Sequence, residues 1–355
     1  MTSSGKQVSI HDPAGVEALR KRLKLDPCVI RRVRAALFRS FLADRGVLDA
    51  VPADRRAEFA ATVRFHELAL EDRRDSRTDG ATKLLFRTAD GHAVESVTLR
   101  IQSGRSSLCV SSQTGCAGGC RFCATGRIKG GRNLTAAEIL DQVVRAGELL
   151  AAEGRRLRNV VFMGMGEPLR NEEAVFAALE QLRGKDGFHL SDRHLLVSTL
   201  GIPDAMLRLA GRFPQVGLAV SLHSARQAAR DDLMPLARRW PLTGLREAVL
   251  GVNAVQGREL MVEVLMLEGV TDTEADVDAL LGWLGGLRVH VNLIPYNAVG
   301  EAAPGELPLR GSDGARIQKV LARLKEAGFK ATRRHSLGSD IGAACGQLAQ
   351  RKRPA

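Results

Sequence analysis

Residues 106–123 read SSLCVSSQTGCAGGCRFC, and this stretch decides the fold. Its first part, 106–113, predicts a short strand, because small and apolar residues run on until a glycine-rich segment begins. Three cysteines, Cys116, Cys120 and Cys123, follow that strand in a single loop. No export signal precedes them, so cysteines clustered this closely indicate metal or redox chemistry rather than a disulfide framework.

The same strand-then-helix order continues through the rest of the chain. Five more candidate strands lie at 158–164, 195–201, 215–223, 260–268 and 288–295. Helical patterns lie near 135–153, 172–183, 203–213, 243–255, 273–285 and 313–327. Six successive βα units predict an α/β protein with a parallel sheet. Right-handed crossovers would curl this sheet into a partial (β/α)6 TIM-like barrel.

The chain before residue 95 has a different, basic and helical pattern. Residues 17–45 contain nine Lys or Arg against three acidic residues, which is half of the net charge of +12. This predicts a small N-terminal basic helical domain over 1–95, with a core over 96–348 and a basic tail over 349–355. The charge favours a polyanionic partner, nucleic acid first. The alternative is a solvated cationic helix face without a partner.

Composition excludes several classes of protein. Hydrophobic residues make up 45% and charged residues 26% of the chain, which is ordinary for a soluble globular protein and excludes a disordered or collagen-like one. No segment approaches the ~20 apolar residues of a membrane span, and the N-terminus has no signal-peptide pattern. We therefore expect a cytoplasmic protein with no membrane partner.

Three thiolates on one short loop can bind three irons of a [4Fe–4S] cluster and leave the fourth iron open to another ligand. A zinc site would need a fourth ligand, and Cys109 lies within the strand rather than on the loop. A thioredoxin-type site formed by Cys120 and Cys123 would leave Cys116 unexplained. The residues alone favour the cluster and keep the other two possibilities open.

The spacing Cys-x3-Cys-x2-Cys, with Phe122 before the last cysteine, resembles the radical S-adenosylmethionine (SAM) superfamily. Five further motifs resemble the RlmN/Cfr family, which methylates an adenine of 23S rRNA. They are Ser111-Ser-Gln-Thr-Gly-Cys116, Gly164-Met-Gly-Glu-Pro168, Ser221-Leu-His-Ser224, Asn292-Leu-Ile-Pro-Tyr-Asn297 and Ala343-Ala-Cys-Gly-Gln-Leu348. The similarity runs from about residue 95 to 348. The N-terminal region departs from the family, since Arg34-Ala-Ala-Leu-Phe38 stands where a Trp-containing helical motif is usual.

The resemblance implies a complete set of site residues. Cys116, Cys120 and Cys123 would bind one [4Fe–4S] cluster per chain. The SAM site would comprise Gly166, Glu167, Ser198, Ser221, Leu222, His223 and Asn297. Cys345 would accept a methyl group from a first SAM and, after a second SAM is cleaved, carry it as a radical to adenine. Glu95 would then accept the ring proton, and Cys109 would release the product by forming a transient disulfide with Cys345.

The resemblance also implies the partners. The substrate would be 23S rRNA at the peptidyl-transferase centre, with tRNA as a further substrate. A flavodoxin- or ferredoxin-type donor would supply electrons, a thiol reductant would reopen the disulfide, and the enzyme would be a monomer. Carbon C2 of adenine is favoured over C8, the Cfr-type position that gives antibiotic resistance. Two alternatives remain: a radical SAM enzyme for a non-RNA substrate, and a non-enzymatic RNA-binding protein with a structural zinc or cluster.

Overall fold

The computed structural model describes residues 7–42, 44–101, 104–128, 130–300 and 307–349. The strands are β1 Val8–Ser9, β2 Val63–Arg64, β3 Ala69–Asp75, β4 Ala81–Arg87, β5 Ala93–Arg100, β6 Ser106–Cys109, β7 Leu157–Phe162, β8 Leu195–Thr199, β9 Gly217–Ser221, β10 Leu260–Met266, β11 Val289–Pro295 and β12 Lys330–Arg333. The helices are α1 Pro13–Arg22, α2 Pro27–Phe38, α3 Asp44–Leu48, α4 Ala53–Thr62, α5 Ala136–Ala152, α6 Glu172–Arg183, α7 Pro203–Arg212, α8 Gln227–Leu233, α9 Leu242–Gln256, α10 Glu274–Leu284 and α11 Gly314–Glu326.

Strands β6 to β12 pair in parallel and in sequence order, with at least one helix in every crossover. The predicted α/β class and the six βα units are confirmed, and the open parallel sheet is the predicted partial barrel. Strand β12 adds a seventh parallel strand that the sequence analysis missed. It has four residues, of which only Ala331 is buried, so it lacks the hydrophobic run that marks the other strands.

An antiparallel extension, β3-β4-β5, joins the parallel sheet through β6. The helical pattern expected before residue 95 is therefore wrong for 69–95, although α1 to α4 agree with it. The predicted domain boundary at residue 95 falls inside β5. Strand β4 is buried along almost its whole length, including Lys83. Because a lysine interrupts its apolar residues, the sequence does not mark it as a core strand.

The chain after β12 returns across the barrel opening to the antiparallel extension. The backbone N–H of Gly338 donates to Asp79, and Asp340 accepts from Ser76 and from the backbone of Arg77. These bonds hold the segment that follows the edge strand β12 against the turn between β3 and β4. The predicted tail, 349–355, lies outside the described residues except for Ala349. No helix among the described residues is long and apolar enough to cross a membrane.

The segment between β2 and β3 is held on α5 by a buried carboxylate of that helix. Asp141 accepts hydrogen bonds from the backbone N–H groups of Glu67 and Leu68, each at 2.8 Å, and its Oδ1 lies 2.9 Å from His66 Nδ1. Burial alone lowers the pKa of His66, but the hydrogen bond and charge of Asp141 outweigh it and raise the pKa. The junction is therefore most stable when His66 is protonated.

We expect the free energy of unfolding to fall as the pH rises through the raised pKa of His66. A group whose pKa is higher in the folded state stabilises that state fully below its unfolded pKa and loses the contribution above its folded one. Urea unfolding of the wild type and of His66→Asn between pH 5.5 and 8.5 measures this. The difference between them should shrink with rising pH; a constant difference would contradict the assignment.

Candidate active site

A cavity opens at the C-terminal ends of the parallel strands, where barrel chemistry gathers. Most of the predicted site residues line it. They are Cys109, Cys116, Cys120, Cys123, Gly166, Glu167, Ser198, Ser221, His223, Asn297 and Cys345. Two predicted residues are not among the lining residues: Leu222, whose side chain belongs to the main hydrophobic core, and Glu95.

The loop after β6 holds three free thiols against one wall of the cavity. A Cβ on Gly118 would lie 3.1 Å from Cys116 Sγ and 3.6 Å from Cys120 Sγ, so the absent side chain leaves both sulfurs uncovered. Burial raises the pKa of Cys116 to about 11 and that of Cys120 well above its ordinary value, and the neighbouring thiols add to both shifts. Cys116 and Cys120 are therefore held as thiolates only when a cation lies beside them.

Glycines form the wall after β7. Gly166 has φ +100°, and a Cβ there would come within 2.5 Å of Gln113 Cβ. A Cβ on Gly164 would lie 2.6 Å from Ser111 Oγ. The next residue, Glu167, is buried, and its carboxylate accepts from the backbone N–H groups of Leu169 and Leu200. Burial raises its pKa. The carboxylate thus joins the ends of β7 and β8 and shapes the cavity.

An ion pair that the sequence analysis missed lines the cavity. Glu263, in β10, accepts from Ser198 Oγ at 2.9 Å, from Ser221 Oγ at 3.5 Å and from Arg334 Nη1 at 3.2 Å. The Glu263 carboxylate therefore connects β8, β9 and β10 through two of the predicted SAM residues. The sequence did carry a signal, because an acid within the apolar run of β10 is costly to bury unless it is paired.

Cys345 reaches the cavity on the segment that crosses the barrel opening. Its backbone carbonyl accepts from Asn297 Nδ2 at 3.2 Å, and the next carbonyl, of Gly346, accepts from Ala124 N–H at 2.7 Å. Asn297 therefore orients the Cys345 segment as well as lining the cavity.

Cys109, at the end of β6, faces the same space as Cys345. Burial raises the pKa of Cys109 to about 12, and the charge of Cys345 adds to the rise while Arg334 opposes it. Burial likewise raises the pKa of Cys345, again opposed by Arg334. The structure thus brings both thiols under the influence of one guanidinium.

Glu95 lies beside the cavity. It alternates along β5 with Val97, which does line the cavity, so both side chains are on the same face of the strand. Its side chain is fully buried, with Oε1 3.1 Å from Lys83 Nζ and Oε2 accepting from the Ala349 N–H at 2.8 Å. Lys83 also donates to the carbonyl of Gly342. Glu95 and Lys83 therefore anchor both sides of the Cys345 segment.

His223 has the left-handed φ of +59° at the end of β9. Burial lowers its pKa to about 3, and the charge of Arg230 adds to this. The neutral ring accepts from the Leu265 N–H through Nδ1 and contacts the edge or face of Phe122 at 4.6 Å between centroids. It therefore links the cysteine loop to the strands that carry the predicted SAM site.

Comparisons with known proteins agree with this geometry. Residues 110–280 match the family model of the radical SAM superfamily. The chain is 49% identical over 348 residues to a probable RNA methyltransferase of Rhodopirellula baltica, covering 98% of this chain and 89% of that protein. It is 44% identical to the dual-specificity RNA methyltransferase RlmN of Anaeromyxobacter dehalogenans, covering 84% and 80%.

The chain belongs to the RlmN/Cfr family of radical SAM enzymes. The crystal structure of a radical SAM methyltransferase from Sphaerobacter thermophilus superposes with a TM-score of 0.89 at 35% identity, covering 99% of this chain and all of that one. As a member of this family the protein is an RNA methyltransferase.

Membership of the radical SAM superfamily implies a [4Fe–4S] cluster and SAM, and the cavity of this RlmN/Cfr-type enzyme fits both. Its cysteine loop offers three soft donors without a fourth thiol on the loop, as an open-iron cluster requires. No group of three or more His, Cys, Asp or Glu in the described ranges is placed to hold a single metal ion. The glycines at 164 and 166 let the turn after β7 pack closely against residues 110–113 and present backbone to the same cavity, where a nucleoside could lie.

Proposed function

We propose that this enzyme methylates an adenine carbon of 23S rRNA at the peptidyl-transferase centre, with C2 favoured over C8. The observation that carries the proposal is that Cys109 and Cys345 share one cavity with the three-cysteine loop. An adenine ring carbon between two nitrogens is electron-poor and has no lone pair to attack a methyl cation. A second pair of cysteines beside the cluster loop supplies another route, in which a protein thioether delivers the carbon.

In this proposal Cys116, Cys120 and Cys123 bind one [4Fe–4S] cluster per chain. When bound, the cluster supplies the electron that cleaves SAM and generates the hydrogen-abstracting radical. Two SAM molecules are consumed per transfer: one methylates Cys345, and the other provides that radical. The proposed SAM pocket is lined by Gly166, Glu167, Ser198, Ser221, His223 and Asn297. Leu222 contributes its backbone at the end of β9.

The chain's own residues then carry the methyl group to the base. Cys345 holds the carbon, and the bonds from Asn297 and Lys83 to its segment keep it at the cavity. Glu95 is the proton acceptor for the ring proton, and it acts once RNA displaces its contact with Ala349 or Lys83. Once the adduct has given up its unpaired electron, which the oxidised cluster would accept, the Cys109 thiolate attacks the Cys345 sulfur. The S–S bond forms as the S–C bond breaks, and the carbon leaves with the bonding electrons and takes up a proton to become the methyl group. Arg334 favours the thiolate that each of these sulfur steps needs.

We further propose the partners implied by this chemistry. A flavodoxin- or ferredoxin-type protein donates the electron, and a thiol reductant reopens the Cys109–Cys345 disulfide. The enzyme acts as a monomer in the cytoplasm. A second substrate, tRNA, accords with the dual-specificity name of the Anaeromyxobacter relative.

Contacts with RNA phosphates are proposed for the basic N-terminal region, residues 1–95. Some of the cationic side chains of this region pack it onto the core of the protein. Arg34 and Arg39 donate to the carbonyls of Asp186 and Gly187 and so pack the N-terminal region onto the core. Arg31 and Arg32, on α2, stay exposed and are the better candidates for phosphate contacts.

Nucleoside mass spectrometry of 23S rRNA and tRNA tests the position of methylation. The RNA should come from a host that lacks its own RlmN, with and without this protein. We expect 2-methyladenosine in the 23S rRNA and in tRNA. The appearance of 8-methyladenosine instead would show the Cfr-type reaction and predict resistance to antibiotics of the peptidyl-transferase centre. Absence of both would overturn the proposed substrate, and the alternative of a different RNA would follow.

A further inference from the structure

Arg230, on α8, is a buried cation to which the reaction described above gives no role. Its side chain is fully buried. Nη2 donates to the carbonyl of Leu200, directly after β8, whereas Nε and Nη1 have no hydrogen-bond partner among the described residues. A buried guanidinium with two unpaired nitrogens is costly, because arginine stays charged and its N–H groups lose their water. An anionic partner near the guanidinium would offset this cost.

The surroundings of Arg230 point to the cysteine loop as the place of that partner. The end of α8 and the turn Pro235–Arg239 are bonded to the loop backbone. The N–H of Arg121 donates to the Leu233 carbonyl at 3.0 Å, and the N–H of Leu236 donates to the Gly118 carbonyl at 3.3 Å.

Electrostatics agree with this placement. The charges of Arg230 and Cys120 act on one another, which places the guanidinium close to this sulfur. Asp231, the neighbour of Arg230 on α8, is half-buried, and its carboxylate accepts from Gln227 at 2.7 Å. Asp231 and Cys120 are the acidic groups whose charges act on Arg230, and Cys120 is the one that lies on the cysteine loop.

We propose that Arg230 is a positioning residue for the iron–sulfur cluster, holding a fixed positive charge beside Cys120 that raises the cluster's reduction potential. A cluster bound by three thiolates carries net negative charge, which grows by one when it accepts an electron. Nearby positive charge and N–H donors to sulfur both favour the reduced form. The step takes one electron from the external donor and transfers no proton. Arg230 thus makes reduction easier without touching SAM or RNA.

The test is an electron-paramagnetic-resonance redox titration of the anaerobically reconstituted full-length enzyme. Arg230→Gln removes the charge and Arg230→Lys keeps it. Arg239→Gln, at an exposed cation on the following turn, is the matched control. We expect Arg230→Gln to lower the equilibrium constant for reduction about tenfold, a shift of about 59 mV to more negative potential for a one-electron couple. Arg230→Lys and Arg239→Gln should stay close to the wild type.

The inference rests on the proposed cluster site, and the wild type separates the two failures. A wild-type protein that binds no iron and sulfide would overturn the cluster assignment itself. A normal wild-type cluster together with an unshifted potential in Arg230→Gln would overturn only the role of Arg230. If Arg230→Gln loses the cluster and Arg230→Lys retains it at the wild-type potential, the need for a charge is supported. Loss of the cluster from both variants would assign Arg230 to the fold alone and overturn the inference.

Discussion

Replacement of Cys109 by alanine is expected to leave RNA covalently attached to the enzyme through Cys345. In the proposed reaction the methylene carbon links the Cys345 sulfur to adenine until a second thiol attacks that sulfur. Cys109 is the thiol that lines the same cavity and lies at the end of β6. Without it the final bond exchange has no nucleophile. Denaturing gels with labelled RNA should therefore show an adduct of protein plus RNA and little released methylated product.

Two further variants define this result. Cys109→Ala combined with Cys345→Ala should form no adduct, because the carrier of the carbon is gone. Cys28→Ala is the matched control, since Cys28 is an exposed free cysteine on α2, far from the cavity-lining residues in sequence and absent from them. It should behave as the wild type. Released methylated RNA at the wild-type rate from Cys109→Ala would contradict the covalent route.

Local sequence pattern was enough to predict the parallel part of the fold. Each buried strand is a short apolar run, and the crossover helix α5 begins with the Thr135–Glu138 capping box. The cysteine loop and the Gly164–Pro168 turn could also be predicted, because their chemistry depends on residues that are neighbours in the sequence. These are the features for which spacing along the chain translates directly into distance.

The features that were missed depend on residues far apart in the chain. Glu263 and Arg334 meet only because β10 and the end of β12 belong to one sheet, and neither has a local motif. Lys83 and Glu95 lie on adjacent antiparallel strands, in a region whose high charge suggested an exposed helical surface. Arg34 illustrates the same limit, since its partner Asp186 is separated from it by 152 positions. The high density of charged residues predicted an exposed surface. Ion pairs and hydrogen bonds between distant parts of the chain instead allow several of these charged side chains to lie inside the protein.

The three cysteines of the loop are expected to act as one unit. Each thiolate would bind a different iron, so the loss of one leaves two ligands for a cluster that requires three from this chain. Cys116 is the most informative of them. It is separated from Cys120 by the uncovered space at Gly118. Two residues away on either side, the Thr114 N–H donates to the Arg132 carbonyl and the Gly118 carbonyl accepts from the Leu236 N–H. Removal of Cys116 should therefore change the ligand set while the β6 end and the glycine wall stay in place.

Cys116→Ala should consequently purify as a folded protein with little iron or sulfide, where the wild type binds about four irons. RNA methylation should fall to background, because SAM cannot be cleaved. Thermal unfolding of apo wild type and apo variant should agree, which separates loss of the ligand from loss of the fold. Wild-type protein that binds zinc in place of iron and sulfide would favour the structural-zinc alternative. Retention of methylation in an iron-free Cys116→Ala would exclude the cluster from the reaction altogether.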